Sequence, residues 1–247
     1  MWADSREALA DLGLADADRV LDVGCGTGEL TRVLREETDG TVVGVDADAD
    51  LLAAVGQPTV QGDATRLPFA DDSFDLVVCQ ALLINLPDPG AAVREFARVA
   101  TDRIAAVEPD NAAVTVESTV AAEPPLARRA RRFYLDGVDT DVALGDDAAD
   151  LFRGAGLSVV STRRYDQVRE IAPPYGEQAV RAARRKATGE GLESDRETIL
   201  DGETTPEELD RLRERWRKMG RTVVDQMGDR AYERRETVPF FVTVGRV

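Results

Sequence analysis

The chain has no histidine, only two lysines among its 31 basic residues, two cysteines and 5% aromatic residues. Without an imidazole, a histidine general base and a histidine metal ligand are both excluded. Cys25 and Cys79 are too few for a disulfide framework or a zinc cluster, so no metal site is expected. No apolar run approaches the ~20 residues of a membrane span, and residues 1–7 lack a basic stretch followed by an apolar one. The expectation is a cytoplasmic protein with no membrane partner.

Acidic charge is what the chain has in excess. Aspartate and glutamate total 47, giving a formal net charge of −16. Lys186 and Lys218 are the only lysines, so arginine supplies nearly all the positive charge. An acidic surface repels a phosphate backbone, which disfavours nucleic acid as the main partner. At 247 residues and 43% hydrophobic content the chain can bury a proper core.

Turn chemistry and hydrophobic periodicity divide the chain into alternating strands and helices. A helix is expected over 4–17, capped by Asp4 or Ser5, with Ala8, Leu9 and Leu12 facing in. Strand 19–23 leads to helix 27–37 carrying Leu30, Val33 and Leu34. Strand 40–46 precedes a short helix, 49–55, and strand 58–63. Strand 76–79 is apolar throughout, as a strand covered on both faces should be. Helix 91–100 and strand 103–108 follow. Such alternation demands parallel pairing with right-handed crossovers, hence an α/β doubly wound sheet. Pro124-Pro125 reads as a break within an irregular 111–143, followed by helix 146–155 and a sixth strand, 157–165. Residues 173–235 are helical and highly charged, with Thr205-Pro-Glu-Glu as a helix start, and 238–245 form the last strand. An insertion that long is no ordinary loop, and a helical cap is the expectation.

The stretch Val20-Leu-Asp-Val-Gly-Cys-Gly-Thr-Gly-Glu-Leu-Thr31 joins a strand, a glycine turn and a helix start, where α/β sheets bind nucleotide-like ligands. Dinucleotide dehydrogenases share this plan. Here, however, Gly24, Gly26 and Gly28 alternate rather than follow GxGxxG spacing, and Asp22 precedes them. A carboxylate there would repel a pyrophosphate but suit an ammonium group.

Leu21-Asp-Val-Gly-Cys-Gly-Thr-Gly28, Val45-Asp46, Gly62-Asp-Ala64, Leu67-Pro-Phe69 and Ser73-Phe-Asp-Leu-Val-Val78 resemble, in order and spacing, successive signatures of class I S-adenosylmethionine-dependent methyltransferases of the methyltransferase-11-like, small-molecule type. The resemblance covers residues 15–110 in detail. It implies a Rossmann-like, seven-stranded, mostly parallel sheet with the last strand antiparallel. It implies S-adenosylmethionine as cofactor and S-adenosylhomocysteine as product. It also implies one domain, with a core of 15–110, 145–166 and 237–247 and cap segments 111–143 and 167–236. By the same resemblance Asp22 serves the ammonium end, and Gly24, Gly26 and Gly28 allow close approach of the methionine part and ribose. Asp46, with Ala47 beside it, accepts from the ribose hydroxyls, Asp63 and the Ala64 N–H meet the adenine, and the Gln80 backbone meets the methionine end. Asp48, Asp50, Asp71 and Asp72 read as solvated surface.

No catalytic residue is identified. Relatives carry a histidine before Leu-Pro-Asp, where this chain has Asn85, which either orients a substrate or caps a turn. Phe133, Tyr134, Tyr175 and Trp216 either line a substrate pocket or belong to the cap's core. The arginine clusters 128–132 and 181–185 read as partners of nearby carboxylates. A small-molecule methyltransferase is the leading reading. A cofactor-binding or regulatory module without turnover and an RNA or protein methyltransferase are the alternatives, and oligomeric state is not legible. The acidic, lysine-poor composition resembles that of proteins from halophilic archaea, which implies folding that depends on concentrated salt.

Overall fold

The structure, a computed structural model, describes Trp2 and residues 6–247. In chain order the elements are β1 (Arg19–Val23), α1 (Glu29–Glu37), β2 (Thr41–Asp46), α2 (Ala49–Leu52), β3 (Thr59–Gln61), β4 (Phe74–Gln80), α3 (Pro89–Val99) and β5 (Ala100–Pro109). They continue with β6 (Thr115–Ser118), α4 (Glu123–Gly137), α5 (Ala148–Gly154), β7 (Ser158–Ile171), α6 (Glu177–Thr188), α7 (Glu190–Ser194), α8 (Arg196–Asp201), α9 (Pro206–Gly228) and β8 (Arg234–Arg246). Two compact units divide them. One holds the described residues up to Asp110, Ala143–Tyr165 and Pro239–Val247, and the other Asn111–Val142 and Asp166–Val238.

In the first unit the strand order is β3-β2-β1-β4-β5-β8, with β7 also paired to β8. Neighbours from β3 to β5 run parallel, and β8 is antiparallel to β5. This is the Rossmann-like doubly wound sheet. Its centre is dry because its strands carry apolar side chains on both faces: Val20, Leu21 and Val23 of β1 and Leu76, Val77, Val78 and Cys79 of β4 are all buried. Each such side chain contributes about 1.5–3 kcal/mol by leaving water. Phe96 of α3 and Phe152 of α5 pack into the same core.

The second unit is described by itself. Thr115–Ser118 of β6 pair antiparallel with Arg234–Thr237 of β8. Leu126 and Phe133 of α4, Ile199 of α8, and Leu209, Leu212 and Val223 of α9 form its core. Thr205 caps α9 reciprocally with Glu208, as the Thr-Pro-Glu-Glu pattern predicts.

Several expectations need correction. Residues 7–12 and 14–16 are short 3-10 turns rather than one helix, because Gly13 adopts φ +66° and the Arg103 guanidinium packs against it, donating to the Leu12 and Gly13 carbonyls. Ala8, Leu9 and Leu12 are nonetheless buried. Asp4 and Ser5, the expected caps, lie outside the described residues. Pro124-Pro125 does not break the chain but stands in the first turn of α4, where a missing N–H costs no helical bond. Asp48 and Asp71 are exposed, as expected, and the Asp48 carboxylate also caps α2 by accepting from the Asp50 N–H at 2.8 Å. Asp71 is likewise held, by Arg98 at 2.7 Å.

Candidate functional site

Parallel register sets β1, β2, β4 and β5 side by side and brings their carboxyl ends to one edge. Val23 lies opposite Val45 and Cys79, and Gln80 opposite Val107. In sheets of this kind that edge is where ligands bind. The glycine turn starts there, with the Gly24 and Cys25 N–H groups both donating to the Val45 carbonyl.

The three glycines all take positive φ, at +68°, +52° and +80°, but they serve different neighbours. A Cβ on Gly24 would strike Leu82 at 2.7 Å, and one on Gly28 would strike Val55 at 2.9 Å. A Cβ on Gly26 would meet nothing within 4 Å. The turn is therefore packed at both ends and open in the middle, and the open position is where a ligand could approach backbone.

Asp46, the last residue of β2, fixes that middle. One carboxylate oxygen accepts the Gly26 N–H at 2.8 Å and the other the Asp48 N–H at 2.9 Å. A carboxylate has roughly four acceptor positions, so about two remain for a ligand. Ala47 is exposed, and its carbonyl accepts from Gln61 at 2.9 Å. Asp63 is also exposed and accepts from the Thr65 N–H and hydroxyl, each at 2.8 Å, which lowers its pKa. Ala64 beside it is buried.

Asp22 stands apart from these. It is 1% exposed, and its carboxylate accepts from the Thr31 hydroxyl at 2.6 Å, so it supports the turn from inside rather than offering a free oxygen at the edge. Burial pushes its pKa up to about 7 despite the Thr31 bond. Burial, with Asp22 and Asp46 nearby, also pushes the Cys25 thiol up to about 12, which leaves it inert as a nucleophile.

The Gln80 side chain is engaged, its carbonyl oxygen accepting from the Trp2 indole at 2.6 Å. After Gln80 the chain takes an unusual path: Ala81 has φ +49°, and residues 83–85 form a 3-10 turn. The Asn85 amide donates to the Ala81 carbonyl at 2.7 Å, so it closes its own turn.

Glu108 on β5 is the residue that sequence reasoning passed over. It is fully buried, and its carboxylate accepts from the N–H groups of Leu82 and Leu83 at 3.1 and 3.0 Å, and more weakly from Ile84 at 3.4 Å. Burial raises its pKa to about 7 against those bonds. The available signal was a carboxylate directly after the apolar run 104–107, where a strand covered on both faces leaves no room in water.

The aromatic and arginine candidates belong to the second unit. Phe133 is in its core, with Tyr134, Tyr175 and Trp216 packed against it. Arg181 pairs with Glu177, and Arg185 with Glu190. Arg129 and Arg132 depart from the expected carboxylate pairing and stand over the Phe133 ring at 5.0 and 5.7 Å. Among the described residues no group of three or more cysteines, aspartates or glutamates could hold a metal ion, and no helix is long and apolar enough to cross a membrane.

Comparison with known proteins points the same way. The family described as a methyltransferase domain matches residues 21–103. A demethylmenaquinone methyltransferase of Mycobacterium sp. (strain KMS) is 44% identical over 97 residues, 38% of this chain and 42% of that protein. One from Roseiflexus sp. (strain RS-1) is 37% identical over 148 residues, 56% of this chain and 57% of that protein. The chain thus spans about half the length of the curated relatives it matches. A crystal structure from Bacillus halodurans C-125, named provisionally as a methyltransferase, superposes with a TM-score of 0.57 at 17% identity, over 99% of this chain and 98% of that one. At that identity the likeness shows the fold alone.

Proposed function

We propose that this chain is an S-adenosylmethionine-dependent methyltransferase acting on a small-molecule acceptor. The observation that carries the reading is the glycine turn: an open approach at Gly26, with the Asp46 carboxylate locked beside it and acceptor positions to spare. A cofactor bearing ribose hydroxyls and a cationic aminoacyl end fits those acceptors better than a pyrophosphate, which Asp46 and Asp22 would repel.

S-adenosylmethionine, when bound, supplies an electrophilic methyl group on a sulfonium. The chain's part is positioning. Asp46 accepts from the ribose hydroxyls, Asp63 and the Ala64 N–H address the adenine, and Gly26 and Gln80 give the aminoacyl end its backbone surroundings, while Gly24 and Gly28 shape the turn by letting Leu82 and Val55 pack on it. Asp22 contributes through its field and its hold on Thr31. Placing two reactants in line supplies much of the acceleration of such a displacement. No general base is assigned, which suits an acceptor already ionised or unprotonated at its reacting atom.

Demethylmenaquinone, which the relatives' name carries, is the first acceptor to try. The family match ends at residue 103, before the segments 111–142 and 166–238, so we assign acceptor recognition to those segments without naming the acceptor. A cofactor-binding module without turnover is the second reading, favoured by the Asn85 amide being turned into its own loop. We further propose that the acidic, lysine-poor surface adapts the chain to concentrated salt, as in a halophile.

Isothermal titration with S-adenosylmethionine and S-adenosylhomocysteine in concentrated KCl tests the cofactor. Asp46→Ala should weaken binding at least tenfold, and unaltered affinity would sink the ribose assignment. Methyl transfer from labelled cofactor to demethylmenaquinone and to a cell extract, sorted into small molecules, RNA and protein, separates the readings. Label in the small-molecule fraction is expected, and binding without any labelled product would favour the module.

A further inference from the structure

We propose that Glu108 is a positioning residue of the cofactor site, its carboxylate holding the loop after β4 so that Leu82 is seated on the glycine turn. The inference rests on the cofactor reading above and deepens it.

Glu108 is fully buried and has no cation among its hydrogen-bond partners. They are the N–H groups of Leu82, Leu83 and Ile84 and the Cys79 thiol at 3.6 Å. Cys79, on β4, is the titratable side chain bonded to it, and the register partner of Glu108 on β8 is Phe241. Burying a carboxylate without a counter-charge is unfavourable unless its lone pairs are met, and here backbone donors of one short loop meet them. Those N–H groups open a 3-10 turn and would otherwise lack partners in a buried place.

The loop held in this way does not relax on its own. Ala81, at its start, sits at φ +49°, a conformation that a residue with a Cβ adopts only when its surroundings impose it. From there the Ala81 N–H reaches the Val107 carbonyl at 3.0 Å, next to Glu108, and the carboxylate takes the next three amides. The result is that the Leu82 methyls lie where a Gly24 Cβ would stand, at 2.7 and 3.0 Å. One buried carboxylate on β5 thus fixes a loop from β4, and that loop packs on the turn leaving β1. Three strand ends are tied together at the edge where the sheet binds its ligand. An apolar residue at position 108 would suit the core equally well but would leave the loop free to move away from Gly24.

The test compares full-length wild type, Glu108→Gln and Glu108→Ala in concentrated KCl, by amide hydrogen exchange and by calorimetric titration with S-adenosylhomocysteine. Gln keeps the shape and one acceptor oxygen, so it remains informative even where Ala fails to fold. In Glu108→Gln, exchange at residues 82–84 should accelerate at least tenfold while β1 and β4 keep their protection, and the Kd should rise at least tenfold. A purely structural role would instead raise exchange across the whole sheet. That outcome, unchanged exchange at 82–84, or accelerated exchange with a Kd within twofold of wild type would each overturn the proposal. Wild type that binds neither S-adenosylmethionine nor its product would overturn the cofactor reading, and with it the role at a cofactor site, while the exchange data still decide whether Glu108 holds the loop.

Discussion

Acidification from pH 8 to pH 6 should stabilise this protein. Asp22 and Glu108 are buried carboxyl groups with pKa values raised to about 7, from 3.8 and 4.5 respectively. Between those limits the folded chain binds protons that the unfolded chain has released. The stabilising contribution of the two groups is therefore complete below about pH 4 and is lost as the pH rises through 7. For one such group the difference between pH 8 and pH 6 is about 1.3 kcal/mol, so both together give about 3 kcal/mol. The window is clean for a reason visible in the composition: with no histidine, no side chain of ordinary pKa titrates between 6 and 8. Carboxylates held low, such as Asp63 and Glu95, stay ionised throughout. Urea unfolding at the two pH values in constant concentrated KCl, followed by far-UV circular dichroism, measures the effect. With a slope of about 2–3 kcal/mol per M, the midpoint should rise by about 1 M at pH 6. A midpoint that stays level or falls would refute the reasoning, as would an Asp22→Asn/Glu108→Gln double variant that keeps the whole shift.

The other expectations are separable from this one. Gly26→Ala should cost about 1–2 kcal/mol of stability, from left-handed backbone strain alone, yet weaken cofactor binding at least tenfold by calorimetry, because its methyl enters open space. Gly28→Ala adds a collision with Val55 to the same strain and should cost about 2–4 kcal/mol, readable in its urea midpoint. In the second unit Glu123 is 1% exposed and takes bonds from Ser118 at 2.7 Å and Tyr232 at 2.9 Å, besides its ion pairs with Lys186 and Arg234. Burial would raise its pKa, but Lys186 and these bonds outweigh burial and hold it low. Glu123→Ala leaves cations buried without a counter-charge and should cost about 3–5 kcal/mol in denaturant unfolding, against less for Glu123→Gln. Raising KCl from dilute to molar should raise the melting temperature by screening the net charge of −16, and an unchanged value would count against adaptation to salt.

Much of the first unit is legible in the sequence. Arg19–Val23 occurs at the expected bounds and Thr41–Asp46 begins one residue after the expected Gly40, because apolar runs between turn residues leave little choice of boundary. Legibility fades where tertiary contacts override local pattern, as at Gly13, where Arg103 from 90 residues away interrupts a helical period. It fades further in 111–142, where two prolines look like a break and are a helix start. The site is half legible for a different reason. Asp22, Asp46, Asp63 and Glu108 all stand within two residues of strand ends, and the chain gives all four the same appearance. What separates them is which way the side chain leaves its strand, and a single position along a strand reverses that. Hydrophobic alternation would mark the side, but β1 and the end of β5 are apolar on both faces, so the pattern carries no phase there. Asp22 is followed by one more residue of its strand and turns inside to Thr31. Asp46 is the last of its strand and faces the turn. The four acids thus divide into an inward pair, Asp22 and Glu108, and an outward pair, Asp46 and Asp63. Because the inward pair titrates near neutrality and Asp63 is held low by its Thr65 bonds, pH acts on the frame of the site without discharging Asp63. Stability should therefore shift between pH 6 and 8 while the charge of Asp63 is constant, and a change in cofactor affinity across that range that Glu108→Gln abolishes reports the frame.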